Sequence, residues 1–456
     1  MPLPRPTPQN LPGVAAAAII LAGAAAVLWL NLPGHLSYDS VVQLAEGRAG
    51  VYTGEHPLVM SWLLGVADRA APGAVLFVVF DTALIFAALL ALVLIASRVS
   101  WVATPVAALC VLLPQLAVYP GIVWKDVLFA GASVAGFATL AWAAVVWDRT
   151  RARLAWLATG LALLTLAALS RQNGAVVLPF AAIAAGAIAA RSDPAGQHRR
   201  ALAYGAGFLA AGAAVFAAMS TLLAARVTTP AATEEAWTAL QTYDLVAAVA
   251  RDPSLTLDVL KARAPALETL IRTRGVAAYS PARVDTLAPL FNQMDDAAAP
   301  AIEAQWRALI WRHPLLYLRV RAGAFGWVFL TPDPAACGLV FTGVDGPPEE
   351  MADAGLQQRK NAKDTALARY ALGFARTPVF SHAVYGLIGL GSLLVLLRRR
   401  RPPDLAVAAM LASAFAFAAS FAVISIACDY RYLYDLDLAA VAAALYLAAG
   451  LHNDAS

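Results

Sequence analysis

Residues 315–330 read LLYLRVRAGAFGWVFL, and the topology of the whole chain turns on whether this run crosses a membrane. By hydropathy alone it is a candidate span. Crossing, however, would carry Arg398, Arg399, Arg400 and Arg401, four adjacent cations in a short loop, to the outer side. Arginines in short loops mark the cytoplasmic side, and four of them outweigh one marginal run that itself contains Arg319 and Arg321. Residues 315–330 are therefore read as a helix lying on the external face. His56 to Ala70, too short before Pro72 to span, is read the same way.

With that run set aside, other apolar stretches approach the roughly 20 residues that a span needs. They fall at about 13–33, 74–97, 101–118, 127–147, 153–170, 175–190, 201–225, 380–397, 404–425 and 436–451. Composition agrees: 61% hydrophobic and 14% charged, against roughly 45–50% apolar and about 25% charged in soluble domains. The expected fold is an all-α polytopic membrane protein with about ten transmembrane helices. Arg5, Arg98, Arg149, Arg151, Arg153, Arg191, Arg199 and Arg200 fall, with Arg398 to Arg401, in alternate loops. Those loops and both termini are then cytoplasmic. The formal charge of +4 thus reports orientation and gives no reason to expect nucleic acid. The external loops become 34–73, 119–126, 171–174, 226–379 and 426–435.

Val14 to Leu32 follows Arg5 as a signal peptide would, but lacks a clear small-x-small cleavage site and is read as a retained first helix. The Pro-rich MPLPRPTPQN before it reads as a disordered tail. Three modules follow: a transmembrane module at 1–225, an external block at 226–379 and C-terminal spans at 380–456. The external block alone has ordinary soluble composition. Helical periodicity over Glu234 to Ala250 and Ile302 to Trp311 makes it a small, mostly helical cap. Three cysteines make no disulfide framework. Cys337 and Cys428 share the external side and could pair, with two free thiols the favoured reading; Cys110 lies within a span.

Unusual polar groups gather in the external loops. Asp39, just past the first helix, is either a cap or solvated acid or a functional one. Asp126 opens a helix, where an acid suits the dipole. Lys125 beside it opposes that dipole, so it either snorkels or faces an anion. Arg171, with Gln172 and Asn173, interrupts apolar sequence on the wrong side for the positive-inside rule, which favours a cavity-facing cation. Arg431 repeats the pattern before the last helix, with Asp429 and Asp435 as possible salt partners, and Tyr430, Tyr432 and Tyr434 suit an interfacial belt. Two acids and three cations at one face suit a lipid phosphate and a group needing deprotonation. The chain has none of the GxxxxGK[ST], HExxH or GxSxG patterns of other chemistries.

Tyr38-Asp39 followed by His56-Pro57-Leu58 resembles the first external loop of GT-C fold glycosyltransferases that use polyprenyl-phosphate sugars, including the protein mannosyltransferase and lipopolysaccharide-core branches. Trp124-Lys125-Asp126 and Arg171-Gln172-Asn173-Gly174 are similar to their second and third loop motifs. Arg319 to Pro332 resembles their juxtamembrane helix, and Tyr430-Arg431-Tyr432 the motif before their last helix. Many relatives carry a second acid after the first-loop Asp, where this chain has Ser40; that departure weakens any metal role. The resemblance implies transfer of a hexosyl or pentosyl group from a polyprenyl-phosphate donor to a glycan, lipid or protein hydroxyl, with no cofactor. Asp39 would be the general base, Asp126 an aid to Lys125 or the acceptor, and Lys125, Arg171 and Arg431 the phosphate cations. His56, Asn173 and Tyr430 would complete the substrate site. The Ala- and Arg-rich composition points to a bacterial plasma membrane with the active face outward.

Two other classes suit some of the same residues. A flippase or transporter of lipid-linked sugars would also need cations near a lipid phosphate. Transporters bind near the midplane in broken helices and often carry repeats, whereas here the spans hold few ionisable groups, Asp81 among them, and no halves repeat. An O-antigen ligase or polymerase is the other class, with a different external loop plan.

Overall fold

The computed structural model describes residues 11–192, 197–228, 232–294 and 298–451; Arg5 and the tail read as disordered lie outside them. Among the described residues regular structure is helical, joined by isolated β-bridges. The chain is an all-α polytopic membrane protein. Among the described residues nine helices are long and apolar enough to cross a membrane, from Leu11–Asn31 to Tyr430–Ala449.

The expected continuous span at 101–118 is a correction. Ala103–Leu112 and Pro114–Gly121 are separate helices bent 72° at their junction. Pro114 lacks an N–H and crowds the residue before it, forcing Leu113 into extended backbone. Together the two pieces still traverse the bundle. At one end the Ser100 N–H donates to the Ala449 carbonyl at 3.0 Å, and at the other the His35 N–H donates to the Gly121 carbonyl at 2.9 Å. Counting the bent pair as one span gives ten crossings.

Lys125–Val145 is the bundle's axis: 94% of its apolar window is buried, against 17% for His198–Ala224 at the periphery. Its small residues allow that burial, since Gly136 meets Leu164 so closely that a Cβ would clash. Tyr430–Ala449 is nearly as enclosed. The spans also hold more ionisable groups than Asp81: Asp435, Asp437 and His382 are all buried within them.

At the end away from the arginine loops, Tyr38–Ala49 and Leu58–Ala70 form a helical pair over the bundle. They cross at Gly47 and Gly65, where any Cβ would strike the opposing backbone. Residues 226–379 do not form one cap. Ala232–Arg251, Ala299–Arg312 and the shorter helices between them enclose their own apolar core. Residues 343–359 instead bridge to the first external loop, through Leu36 to Val344 and Val344 to Arg359. Pro314–Leu330, the run that decided the topology, is one helix and does not qualify as a span. Its buried Arg321 donates to the carbonyls of Ala422 at 3.1 Å and Ser425 at 2.7 Å, where Pro402–Ile424 ends. It also pairs with the cap's Asp244 at 2.7 Å.

Cys337 and Cys428 form a disulfide, which corrects the reading of two free thiols. Residues 337 and 428 are 91 positions apart, and only the fold brings them together. Cys110 remains a buried free thiol.

Candidate active site at the end of the bundle away from the arginine loops

The charged groups of the site stand on four structural supports. Asp39 lies in the first turn of Tyr38–Ala49, and Lys125 and Asp126 open the axial helix. Ser40 ties the two supports together: its hydroxyl is buried and donates to the Val123 carbonyl. The Trp124 indole donates to Ser37 at 2.9 Å across the same junction. Arg171 ends Thr150–Ser170, and Arg431 sits in the 3₁₀ turn before the last helix.

These supports bring Asp39, Asp126, Arg171 and Arg431 into one ionic cluster, with Lys125 beside it. Arg171 is buried and pairs with Asp126 Oδ1. Its guanidinium is faced by Phe421 and Tyr432, each 5.5 Å away. Arg431 meets three carboxylates, at 2.9 Å from Asp39, 3.2 Å from Asp429 and 3.8 Å from Asp126. Its guanidinium also lies 4.9 Å over the Trp124 ring. Lys125 differs from both arginines. Its Nζ is 3.5 Å from His56 Nδ1, and among the described residues it has no carboxylate within ion-pair distance.

The expected roles shift accordingly. Three cations were to surround a phosphate, but Arg171 and Arg431 are already committed to carboxylates, leaving Lys125 as the cation free for an anion. Tyr430 is turned away from the site. Its buried hydroxyl donates to Asp437 at 2.6 Å and accepts from Gln115 at 3.0 Å, and its ring stacks 4.0 Å from His382. It is therefore neither a belt residue nor a group at the site's surface. Asn173 donates to Ser420 at 2.7 Å and makes no bond to the cluster.

Sequence reasoning ranked Asp429 only as a salt partner, yet it completes the acidic set. It also left out Arg283, which reaches from the cap to 3.9 Å from Asp429. No local pattern marks Arg283; its relevance comes from the fold alone.

Burial pushes the Asp39 carboxyl up, but Arg431, Lys125 and His56 together hold it below its ordinary value. Burial, reinforced by Lys125, lowers His56 to about 4, which leaves it neutral near pH 7. Burial raises Asp429 despite Arg431 and Arg283. The site therefore offers an ionised acid, a half-buried ammonium and a neutral imidazole at one end of the bundle.

Fold and site together define a class: a polytopic helical membrane protein with an ionic cluster at one end of its bundle. Comparison with protein-family models, curated proteins and solved structures finds no match.

Proposed function

We propose that the protein is a glycosyltransferase of the external membrane face, moving a sugar from a polyprenyl-phosphate donor to an acceptor hydroxyl. The observation that carries this reading is Lys125, an ammonium with no carboxylate partner among the described residues, beside the ionised Asp39. Even a half-buried cation left unpaired costs free energy unless an anion comes to it. A lipid phosphate at headgroup level supplies one.

The acceptor hydroxyl attacks the anomeric carbon and passes its proton to Asp39. The bond from that carbon to the phosphate oxygen breaks, and its electron pair stays on the leaving phosphate. Lys125 neutralises the charge that develops there, the kind of preorganised stabilisation that is often the largest catalytic contribution. Arg171 and Arg431 reinforce it at longer range while holding Asp126 and Asp39 in place. His56, neutral beside Lys125, is suited to bond a sugar hydroxyl.

The Cys337–Cys428 disulfide supports the outward orientation, because such bonds persist in oxidising compartments and Asp429 adjoins Cys428. Arginine-rich loops at the other end agree. A bacterial plasma membrane with a periplasmic site is the setting this implies.

A second reading, transport of lipid-linked sugars, draws support from Asp81, a carboxyl buried within a span with no hydrogen-bond partner among the described residues. One assay separates the two. Purified protein in liposomes with a radiolabelled polyprenyl-phosphate sugar and envelope acceptors should transfer label, and Asp39→Asn should cut transfer by at least about a hundredfold at equal protein level. Movement of donor across the bilayer without transfer would favour the transporter.

A further inference from the structure

Membrane glycosyltransferases that place paired acids beside a lipid phosphate raise the possibility of a divalent ion, and the residues here do not fit one. Asp39, Asp126 and Asp429 come from three different elements, yet they converge on a side chain. Their oxygens lie 2.9, 3.8 and 3.2 Å from Arg431 nitrogens. A bound Mg²⁺ or Ca²⁺ instead needs ligand oxygens at about 2.0–2.6 Å from a single centre. Among the described residues no three Asp, Glu, His or Cys side chains converge closely enough to hold a metal ion. Where relatives would supply another acid, Ser40 is buried with its hydroxyl donating to Val123.

We propose that Arg431 is the resident cation of this acidic triad and does the neutralising work a divalent ion would otherwise do, so that the site operates without metal. Its planar fork suits this position, because Nη2 donates to both Asp39 and Asp429 while Nε faces Asp126 and the Trp124 ring supports one face. Charge agrees with geometry. Asp39, Asp126 and Asp429 are balanced by Lys125, Arg171 and Arg431, and Arg283 beside Asp429 by Asp285 at 2.6 Å, so an added divalent ion would leave the cluster with two surplus positive charges before any donor arrives.

This inference rests on the glycosyltransferase reading only where it concerns transfer. The direct test is Mn²⁺ binding, followed by electron paramagnetic resonance on the full chain in nanodiscs of zwitterionic lipid near pH 7. The wild type should show no binding that Asp39→Asn removes. Arg431→Gln takes away a positive charge a few ångströms from the acids, and should bind Mn²⁺ more than about tenfold tighter than wild type. Adding Asp39→Asn to that variant should reverse the gain, and Arg431→Lys, which keeps a cation, should behave as wild type. Wild-type binding that depends on Asp39, or an Arg431→Gln protein that binds no tighter, overturns the proposal. If Arg431→Gln does not fold, wild type against Asp39→Asn and Arg431→Lys still decides. In the transfer assay, chelation should change the wild-type rate by less than about twofold, and a loss restored by Mn²⁺ overturns the proposal too. Failure to detect any sugar transfer would instead sink the functional reading and leave the Mn²⁺ result standing.

Discussion

Arg431 donates a hydrogen bond to Asp39 over 2.9 Å, joining side chains 392 residues apart. The pairing fixes the acid's charge state as well as its place. Burial alone would push the Asp39 carboxyl up, but Arg431 and Lys125 hold it below 3.8. A base used in its ionised form then needs no help from pH near neutrality. Asp39→Asn should reduce transfer by roughly 10²–10⁴-fold, the usual worth of a general base. The wild-type kcat/KM should stay level from pH 7 down to the ordinary carboxylate range. Stability follows the same sign: the depressed acid contributes fully above its unfolded pKa, and the contribution is lost as pH falls through the folded value. An acidic limb centred near pH 6 that disappears in Asp39→Asn would contradict this assignment.

Lys125 and His56 touch at 3.5 Å but should respond differently to substitution. The ammonium is the phosphate's partner, and a hydrogen bond to a charged group is worth about 1.5–3 kcal/mol. Lys125→Met should therefore raise the donor KM by roughly tenfold to a hundredfold. With its pKa lowered to about 4, His56 carries no charge at neutral pH. His56→Gln should accordingly leave donor KM within about threefold of wild type. Equal losses in both variants would make the imidazole a phosphate ligand.

Arg171 and Asp126 are both buried, so neither tolerates the loss of the other. Removing one partner of a buried pair costs about 3–5 kcal/mol because the remaining charge has no compensation. Arg171→Ala should lower the thermal midpoint sharply and Arg171→Lys less, with activity ranked in the same order. The neutral double change Arg171→Met with Asp126→Leu should recover most of the stability and none of the activity. Full activity in both single Arg171 variants would show that the pair lies outside the reaction.

How much of this was legible in the chain follows from the range of each interaction. Apolar runs are local, so the spans were readable to within a few residues, and Pro314–Leu330, set aside because of Arg398 to Arg401, is not among the helices long and apolar enough to cross. The break at Leu113–Pro114 was also local, but a long apolar run masked the proline's effect. Lys125, Asp126 and Arg171 could be singled out because a cation at a helix start, or an arginine between two spans, opposes an elementary rule. Only part of what Arg431 faces could be read: Asp429 stands two residues before it, whereas Asp39 reaches it from 392 residues away. Tyr430 failed for the complementary reason: three alternating tyrosines look interfacial until Gln115 and Asp437 are seen beneath one of them.

The Cys337–Cys428 bond anchors the turn that carries Asp429 and Arg431. Its position is reinforced by the Tyr430 N–H, which donates to the Cys337 carbonyl at 2.8 Å. Replacing both cysteines by alanine should cost about 2–4 kcal/mol, the usual range for a cross-link closing a long loop. Transfer should fall as the turn loosens. Denatured but unreduced protein taken from cells should accept one thiol label, at Cys110, and three after reduction. Three labels without reduction would place this end of the bundle in a reducing compartment and remove a main support for its outward orientation.

Arg321 fastens the cap to the bundle through the same physics. It pairs with Asp244 at 2.7 Å, and Asp244 also accepts from the Trp306 indole at 2.9 Å. The remaining Arg321 donors reach the carbonyls of Ala422 and Ser425 where a span ends. Arg321→Met would strand a buried carboxylate and release two carbonyls at once, whereas Trp306→Phe removes only one neutral donor. Hydrogen exchange should thus show Ala232–Arg251 and Ala299–Arg312 losing protection in Arg321→Met, with the axial helix Lys125–Val145 unchanged. Trp306→Phe should move the same peptides far less, and the companion change Asp244→Leu should restore most of the protection lost with Arg321. If the cap peptides and the axial helix lose protection together, the ion pair supports the whole bundle and not the cap's attachment.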